Sequence, residues 1–273
     1  MIDWKLIQAA LEEDIPLGDA SAQWVRPVEV HAALVARERA VVCGLDYVRA
    51  CYQAVAQRLA LAPALLEIVC RDGEWVESGQ TVAHIRGHAH VLMAAERPAL
   101  NFLMRMSGLA THARNLRERV PARITVLDTR KTTPGWRMAE KYAFRVGGLC
   151  NHRLSLSEAA MLKDSHRDFL IPVHELGPRG PISALEIEVD SPDQIGHALS
   201  YRPDALLLDN FTAAQIELAL PMIPDHIRLE VSGNVSEQSL DRLPARVQYV
   251  SMGRALQAFG WIDFGLDIVT KRT

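Results

Sequence analysis

No stretch of about 18 or more apolar residues occurs in this chain, the length a membrane-spanning helix needs, so no membrane span is expected. Cysteine is scarce: Cys43, Cys51, Cys70 and Cys150 are the four present. They form no CxxC pair, and no Cys/His spacing matches a zinc site, which leaves reduced thiols as the reading. A basic excess is also missing. Thirty Lys and Arg face 33 Asp and Glu, for a net charge of −3, so a general nucleic-acid partner is not implied. The opening "MIDWKLIQAALEED" lacks the basic start of a signal peptide and carries acids early, so a cytoplasmic location is expected. No low-complexity tract and no short exact repeat is found.

What is present is ordinary for a soluble globular protein, 49% hydrophobic and 23% charged, over 273 residues, enough for one large domain or two small ones. Residues 3–13 have helical spacing, with Leu6, Ala9, Ala10 and Ile7 as candidates for one face. From 29 to 94, short apolar runs cut by "DG", "SG" and "RG" suggest an antiparallel β layer, with an amphipathic helix over "LDYVRACYQAVAQRLALA". A long helix is expected over 96–119, with Pro98 in its first turn, where a missing N–H costs little. After Pro121 the style changes. Six short apolar segments, "ITVLDTR", "AAMLKDS", "LEIEVD", "ALLLDN", "RLEVSGN" and "QYVSMGR", alternate with helical stretches. Near-continuous apolar strands at βα spacing predict a parallel sheet buried on both faces, barrel-like or doubly wound.

Each of these segments ends in polar or small residues, and in a parallel barrel those ends share one face, where active sites are built. Arg130, Lys131, His152, Arg153 and Lys163 form a cationic set suited to carboxylate or phosphate. All but Lys163 belong to a stretch, 128–153, with six Lys/Arg and one His against only Asp128 and Glu140. Arg137, Lys141 and Arg145 of that stretch fit a solvated or subunit-facing helix face instead. Glu188 and Asp209 are carboxylates at neighbouring strand ends, able to hold Mg²⁺, sugar hydroxyls or a developing positive charge; Asp209 equally fits a cap for a helix starting near Thr212. "VSGN" (Ser232, Gly233, Asn234) and "SMGR" (Gly253, Arg254) have the small residues of a phosphate site. Together these features point to a small acid and a sugar phosphate.

The motif "DTRKTTPGWRMAEKYAFRVGG", followed by "CNHR" and "LKDSH", closely resembles the quinolinate phosphoribosyltransferases. "ALEEDIPLGD", "ARERAVVCGL", "ERPALNFLMRMSGLAT", "LEIEVDS", "LLLDNF", "LEVSGNV" and "VSMG" follow in the family's order, almost end to end. The resemblance implies an α/β protein: an N-terminal α/β sandwich, here 1–105 with the tail 262–273 as a candidate addition, and an incomplete parallel α/β barrel, here 106–261. It implies a homodimer or higher even oligomer with a shared active site. It implies transfer of phosphoribosyl from 5-phosphoribosyl 1-pyrophosphate to quinolinate with Mg²⁺, giving nicotinate mononucleotide, pyrophosphate and CO₂. By motif position, Arg130, His152, Arg153 and Lys163 resemble the residues that hold the quinolinate carboxylates, and Arg97 the arginine lent by the other subunit. Lys131, Glu188 and Asp209 match groups around the ribose, pyrophosphate and metal. Ser232, Gly233 and Gly253 match the 5′-phosphate site. Leu149, Ser165, Arg254 and Gln257 depart from the family pattern. A divergent paralogue group associated with molybdenum transport loci, acting on another acceptor, is the alternative; Lys163 favours quinolinate chemistry. A non-catalytic ligand-binding paralogue is a third reading that no residue demands.

Overall fold

A computed structural model describes residues 2–176, 184–233, 235–253 and 257–269. The elements, in chain order, are α1 (Trp4–Asp14), β1 (Glu29–Ala36), β2 (Ala40–Val41), α2 (Leu45–Arg58), β3 (Leu65–Ile68), β4 (Trp75–Val76), β5 (Thr81–His88), α3 (Ala89–Arg119), β6 (Thr125–Leu127), α4 (Arg137–Val146), β7 (Ala160–Leu162), β8 (Leu185–Val189), α5 (Ile195–Ser200), β9 (Ala205–Asp209), α6 (Ala213–Ala219), β10 (Arg228–Ser232), α7 (Glu237–Leu240), β11 (Tyr249–Ser251) and β12 (Phe264–Ile268). The chain divides into two compact units: Met1–Asn115 with Thr133–Gly148 and Ala258–Thr273, and Leu116–Thr132 with Leu149–Gln257.

The first unit is built on an antiparallel sheet in the order β12-β1-β5-β3, so the last strand of the chain pairs with the first. A two-stranded ribbon, β2-β4, accompanies it. Asp3 caps α1 by accepting from the Lys5 and Leu6 amides. The face α1 buries is Ile7 and Leu11; Ala9, expected on that face, is exposed. A leucine buries more apolar surface than an alanine, and the helix turns to place it inward. Helix α2 starts after Gly44, whose φ of 110° suits only glycine, and Asp72 accepts from the Gly44 and Leu45 amides at 2.9 and 3.2 Å. Helix α3 begins at Ala89, earlier than the pattern suggested, because "AHVLMAA" continues the helical face through Val91, Leu92 and Ala95. Pro98 therefore lies inside the helix and not in its first turn, and removes one backbone donor there. In α4, Lys141 is only 1% exposed, which corrects its place on a solvated helix face; Arg145 is exposed.

The second unit holds all six apolar segments after Pro121, in one parallel sheet of order β6-β11-β10-β9-β8-β7. This is the incomplete α/β barrel. Side chains alternate along a strand, so registered neighbours share a face. One face is wholly apolar: Val126, Ile187, Val189, Leu206, Leu208, Leu229, Val231 and Val250 are all buried. The other carries Thr125, Met161, Glu186, Glu188, Leu207, Asp209, Glu230, Ser232, Tyr249 and Ser251. Burial on both faces was expected, but β8 and β10 are not apolar throughout: they alternate, with Glu186 at 8% and Glu230 at 4% exposure. The sheet curls around this polar face. Cys150 bridges to Leu127 beside β6, yet His152, two residues on, touches both β8 and β10. In a flat sheet β6 and β8, four steps apart, would be separated by roughly 19 Å.

Candidate active site

The polar face is organised around the turn Asn151–Arg153. Asp128, fully buried just past the end of β6, accepts from Asn151 Nδ2 at 2.6 Å and from the His152 amide at 2.8 Å. A buried carboxylate without such donors would be costly, so the turn and Asp128 fix each other. His152 Nε2 lies 3.0 Å from Glu186 and 3.4 Å from Glu230. Glu230 also accepts from the Ser251 hydroxyl. At the other end of the ring, the Arg153 amide donates to His152 Nδ1 at 2.7 Å.

The charges of this cluster are interdependent. Burial of the ring disfavours its cation, and the Glu186 and Glu230 carboxylates favour it and push the His152 pKa upward. The Arg153 donor acts in the opposite sense, since it uses the Nδ1 lone pair that a second proton would occupy. The hydrogen bond defines the Nε2–H imidazole, and full protonation requires the Arg153 amide to turn away. Burial raises the Glu230 pKa, and the His152 and Ser251 bonds limit the rise. His152, Glu186 and Glu230 form the one cluster of metal-type donors within 4.8 Å of one another among the described residues, and their atoms already bond to each other.

The predicted cations fall into two groups. Arg130 and Arg153 are close: burial lowers the Arg153 pKa, the Arg130 charge lowers it further, and Glu186 opposes both. Arg153 Nη1 is anchored on the Ala159 carbonyl at 2.9 Å, while Arg130 Nε is buried with no hydrogen-bond partner. An orphaned buried donor beside a second arginine is an anion site in electrostatic terms. Lys163, following β7, pairs instead with Glu188 of β8. Asp209, ending β9, accepts from Ser232 Oγ at 2.5 Å and from Asn210 Nδ2 at 2.7 Å, whereas the cap of α6 is Thr212, which removes the capping reading of Asp209.

The phosphate-type residues follow the same face. Gly233 has φ 73°, and a Cβ there would come within 2.5 Å of Asn210 Cγ, so only glycine lets β9 and β10 end this close together. A Cβ on Gly253 would sit 3.6 Å from Lys131 Cδ and 4.0 Å from Thr129 Oγ1, which brings the β11 end to the start of the 129–131 turn. Asn234 and Arg254 lie outside the described residues. Arg97 lies in the first unit, on α3, exposed and 3.9 Å from Glu96. The second unit thus gathers Arg130, Lys131, His152, Arg153, Lys163, Glu188, Asp209, Ser232, Gly233 and Gly253 at strand ends or the turns beside them. Asp128, Glu186 and Glu230 were missed. Their signal was present: Glu186 stands two residues before Glu188, and Glu230 two before Ser232, on the same face.

Comparison with known proteins agrees over nearly the whole chain. Residues 19–107 match the model of the quinolinate phosphoribosyl transferase N-terminal domain, and residues 109–267 that of the C-terminal domain. The carboxylating nicotinate-nucleotide pyrophosphorylase of Mycobacterium leprae is 33% identical over 277 residues, covering 96% of this chain and 95% of that one. A decarboxylating quinolinate phosphoribosyltransferase of Nicotiana tabacum is 29% identical, covering 97% of this chain and 82% of that one. The solved nicotinate-nucleotide pyrophosphorylase of Francisella tularensis superposes with a TM-score of 0.86 at 29% identity, covering 97% and 95% of the two chains. The chain belongs to the quinolinate phosphoribosyl transferase family.

Proposed function

We propose that this protein transfers the phosphoribosyl group of 5-phosphoribosyl 1-pyrophosphate to quinolinate, releasing pyrophosphate and CO₂ and leaving nicotinate mononucleotide, a step of de novo NAD synthesis. The observation that carries the reading is the pairing of Arg130 and Arg153, with the buried, unpartnered Nε of Arg130, at the mouth of a sheet that also ends in carboxylates. An acceptor with two carboxylates matches two adjacent guanidinium groups in charge and in bidentate geometry. The relatives named above carry this activity in their names over the full chain, which supports quinolinate over another heteroaromatic acid.

In this reading the acceptor ring nitrogen bonds to C1 of the ribose as the bond to pyrophosphate breaks. Positive charge develops on the sugar, and Glu188 stands ready to stabilise it, with Lys163 beside it as the counter-charge that binding of the acceptor draws away. Loss of CO₂ then leaves an in-plane electron pair on the ring carbon, which the positive charge of the adjacent quaternised nitrogen stabilises until a solvent proton takes the place of the carboxylate. Lys131, Ser232, Gly233 and Gly253 suit the donor's phosphates. Glu188 and Asp209 offer the oxygen donors that Mg²⁺ takes when substrate phosphates complete its shell, so the donor set fits this ion. When bound, Mg²⁺ would neutralise pyrophosphate charge. The same reading includes a cytoplasmic homodimer, or higher even oligomer, in which exposed Arg97 serves the site of another copy.

The test is direct. Purified protein with quinolinate, 5-phosphoribosyl 1-pyrophosphate and Mg²⁺ should yield nicotinate mononucleotide and one CO₂ per turnover. The Lys163→Ala variant should lose about 100-fold or more in kcat/KM. Wild-type product no higher than that of Lys163→Ala would refute the assignment.

A further inference from the structure

The reading above leaves two buried glutamates unused. Glu186 and Glu230 lie on non-adjacent strands, β8 and β10, yet both aim at one atom, His152 Nε2, at 3.0 and 3.4 Å. Two carboxylates this close repel each other, and both sit under a site meant for anions. A sheet face serving only as core would carry apolar groups at these positions, as the opposite face does. The chain of contacts continues past the ring. Nδ1 of His152 receives the Arg153 amide at 2.7 Å, and Arg153 Nη1 is tied to Ala159 O at 2.9 Å. Asp128 holds the preceding amide, that of His152, at 2.8 Å. The ring therefore transmits the position of two strands to the backbone of Arg153. Glu186 also acts on the Arg153 charge directly, offsetting its repulsion by Arg130.

We propose that Glu186 and Glu230 are positioning residues that clamp the His152 ring and, through its contact with the Arg153 amide, hold the Arg153 guanidinium beside Arg130 for the acceptor's carboxylates. The inference rests on the reading that Arg130 and Arg153 receive the acceptor. The glutamates do not meet the substrate themselves. Their loss is felt in acceptor binding, not in donor binding, because the turn 151–153 carries the acceptor's partner alone.

Two measurements on the full-length protein test this. In steady-state kinetics, Glu230→Leu should raise the KM for quinolinate about tenfold while the KM for 5-phosphoribosyl 1-pyrophosphate stays within about twofold. Glu230→Gln, which keeps an oxygen for Nε2–H, should recover most of that loss. In amide hydrogen exchange of the ligand-free proteins, the Arg153 N–H should exchange about tenfold or more faster in Glu230→Leu than in wild type, with the central β9 amides unchanged. The exchange arm needs no turnover: if the wild type proves inactive on quinolinate, the functional reading fails while the clamp is still judged. Unchanged Arg153 exchange together with an unchanged quinolinate KM would overturn the clamp. An equal rise in both KM values, with faster exchange throughout β9 and no rescue by Gln, would make Glu230 a merely structural residue and would overturn it too.

Discussion

Asp128 and Glu140, the two acids in the basic stretch 128–153, are both buried, at 0% and 2% exposure. Each binds backbone as well as side chain. Asp128 takes the Asn151 side chain and the His152 amide; Glu140 takes Arg105 at 2.6 Å and the Thr133 amide at 3.1 Å. Arg105 also donates to Thr133 Oγ1 at 2.7 Å and lies over the Trp136 ring, so the Thr-Thr-Pro-Gly turn is held at both ends. Replacing a buried acceptor strands its donors, at about 1–3 kcal/mol each. Asp128→Ala should therefore lower the urea-unfolding free energy by about 2–5 kcal/mol. Asp128→Asn, which keeps one acceptor oxygen, should cost less. Equal stability of Asp128→Ala and wild type would show that the 151–153 turn is held by something else.

At the scale of elements, the end of α4 approaches α3 closely in the first unit. A Cβ on Gly147 would lie 2.6 Å from the Ala110 carbonyl and 3.0 Å from the Arg114 amide, and Arg114 Nε donates to the Gly147 carbonyl at 3.1 Å. Backbone atoms cannot swing aside, so Gly147→Ala should destabilise by about 1–3 kcal/mol, whereas Gly79→Ala, with open space but φ 84°, should cost only about 1 kcal/mol from its left-handed backbone. Thermal unfolding of both variants would separate crowding from backbone strain. Much of this level was legible in the sequence. The six apolar segments became six strands of one sheet, because period and composition set both where strands form and that they are buried. The strand-end cations and carboxylates were legible for the same reason: a parallel sheet puts its C-terminal ends together. Less legible was what depends on a third dimension. Glu186 and Glu230 stand in segments that read as near-continuously apolar, and their meeting at one ring shows only once the sheet curls over them. Lys141 looks like a helix-surface lysine. Pro98 looks like a helix start, because a proline is best tolerated in a first turn, yet the helical face already runs from Ala89.

At the scale of the molecule, the residues matched to the acceptor's partners divide unequally. Arg130, His152, Arg153 and Lys163 stand in the second unit, and Arg97 stands on an exposed helix position in the first. If Arg97 completes the site of another copy, each site draws on two chains, and mutations in different chains can be sorted into different sites. Arg97→Ala and Lys163→Ala should each be nearly inactive alone. Mixed in equal amounts and allowed to exchange, half of the dimers are hybrids, and one of the two sites in each hybrid carries neither mutation. The mixture should then recover about one quarter of the wild-type rate. Native mass spectrometry establishes that exchange has occurred, and the rate is read from the same sample. Hybrids without recovered activity would show that Arg97 and Lys163 serve the same chain's site, and full activity of Arg97→Ala alone would show that Arg97 serves none.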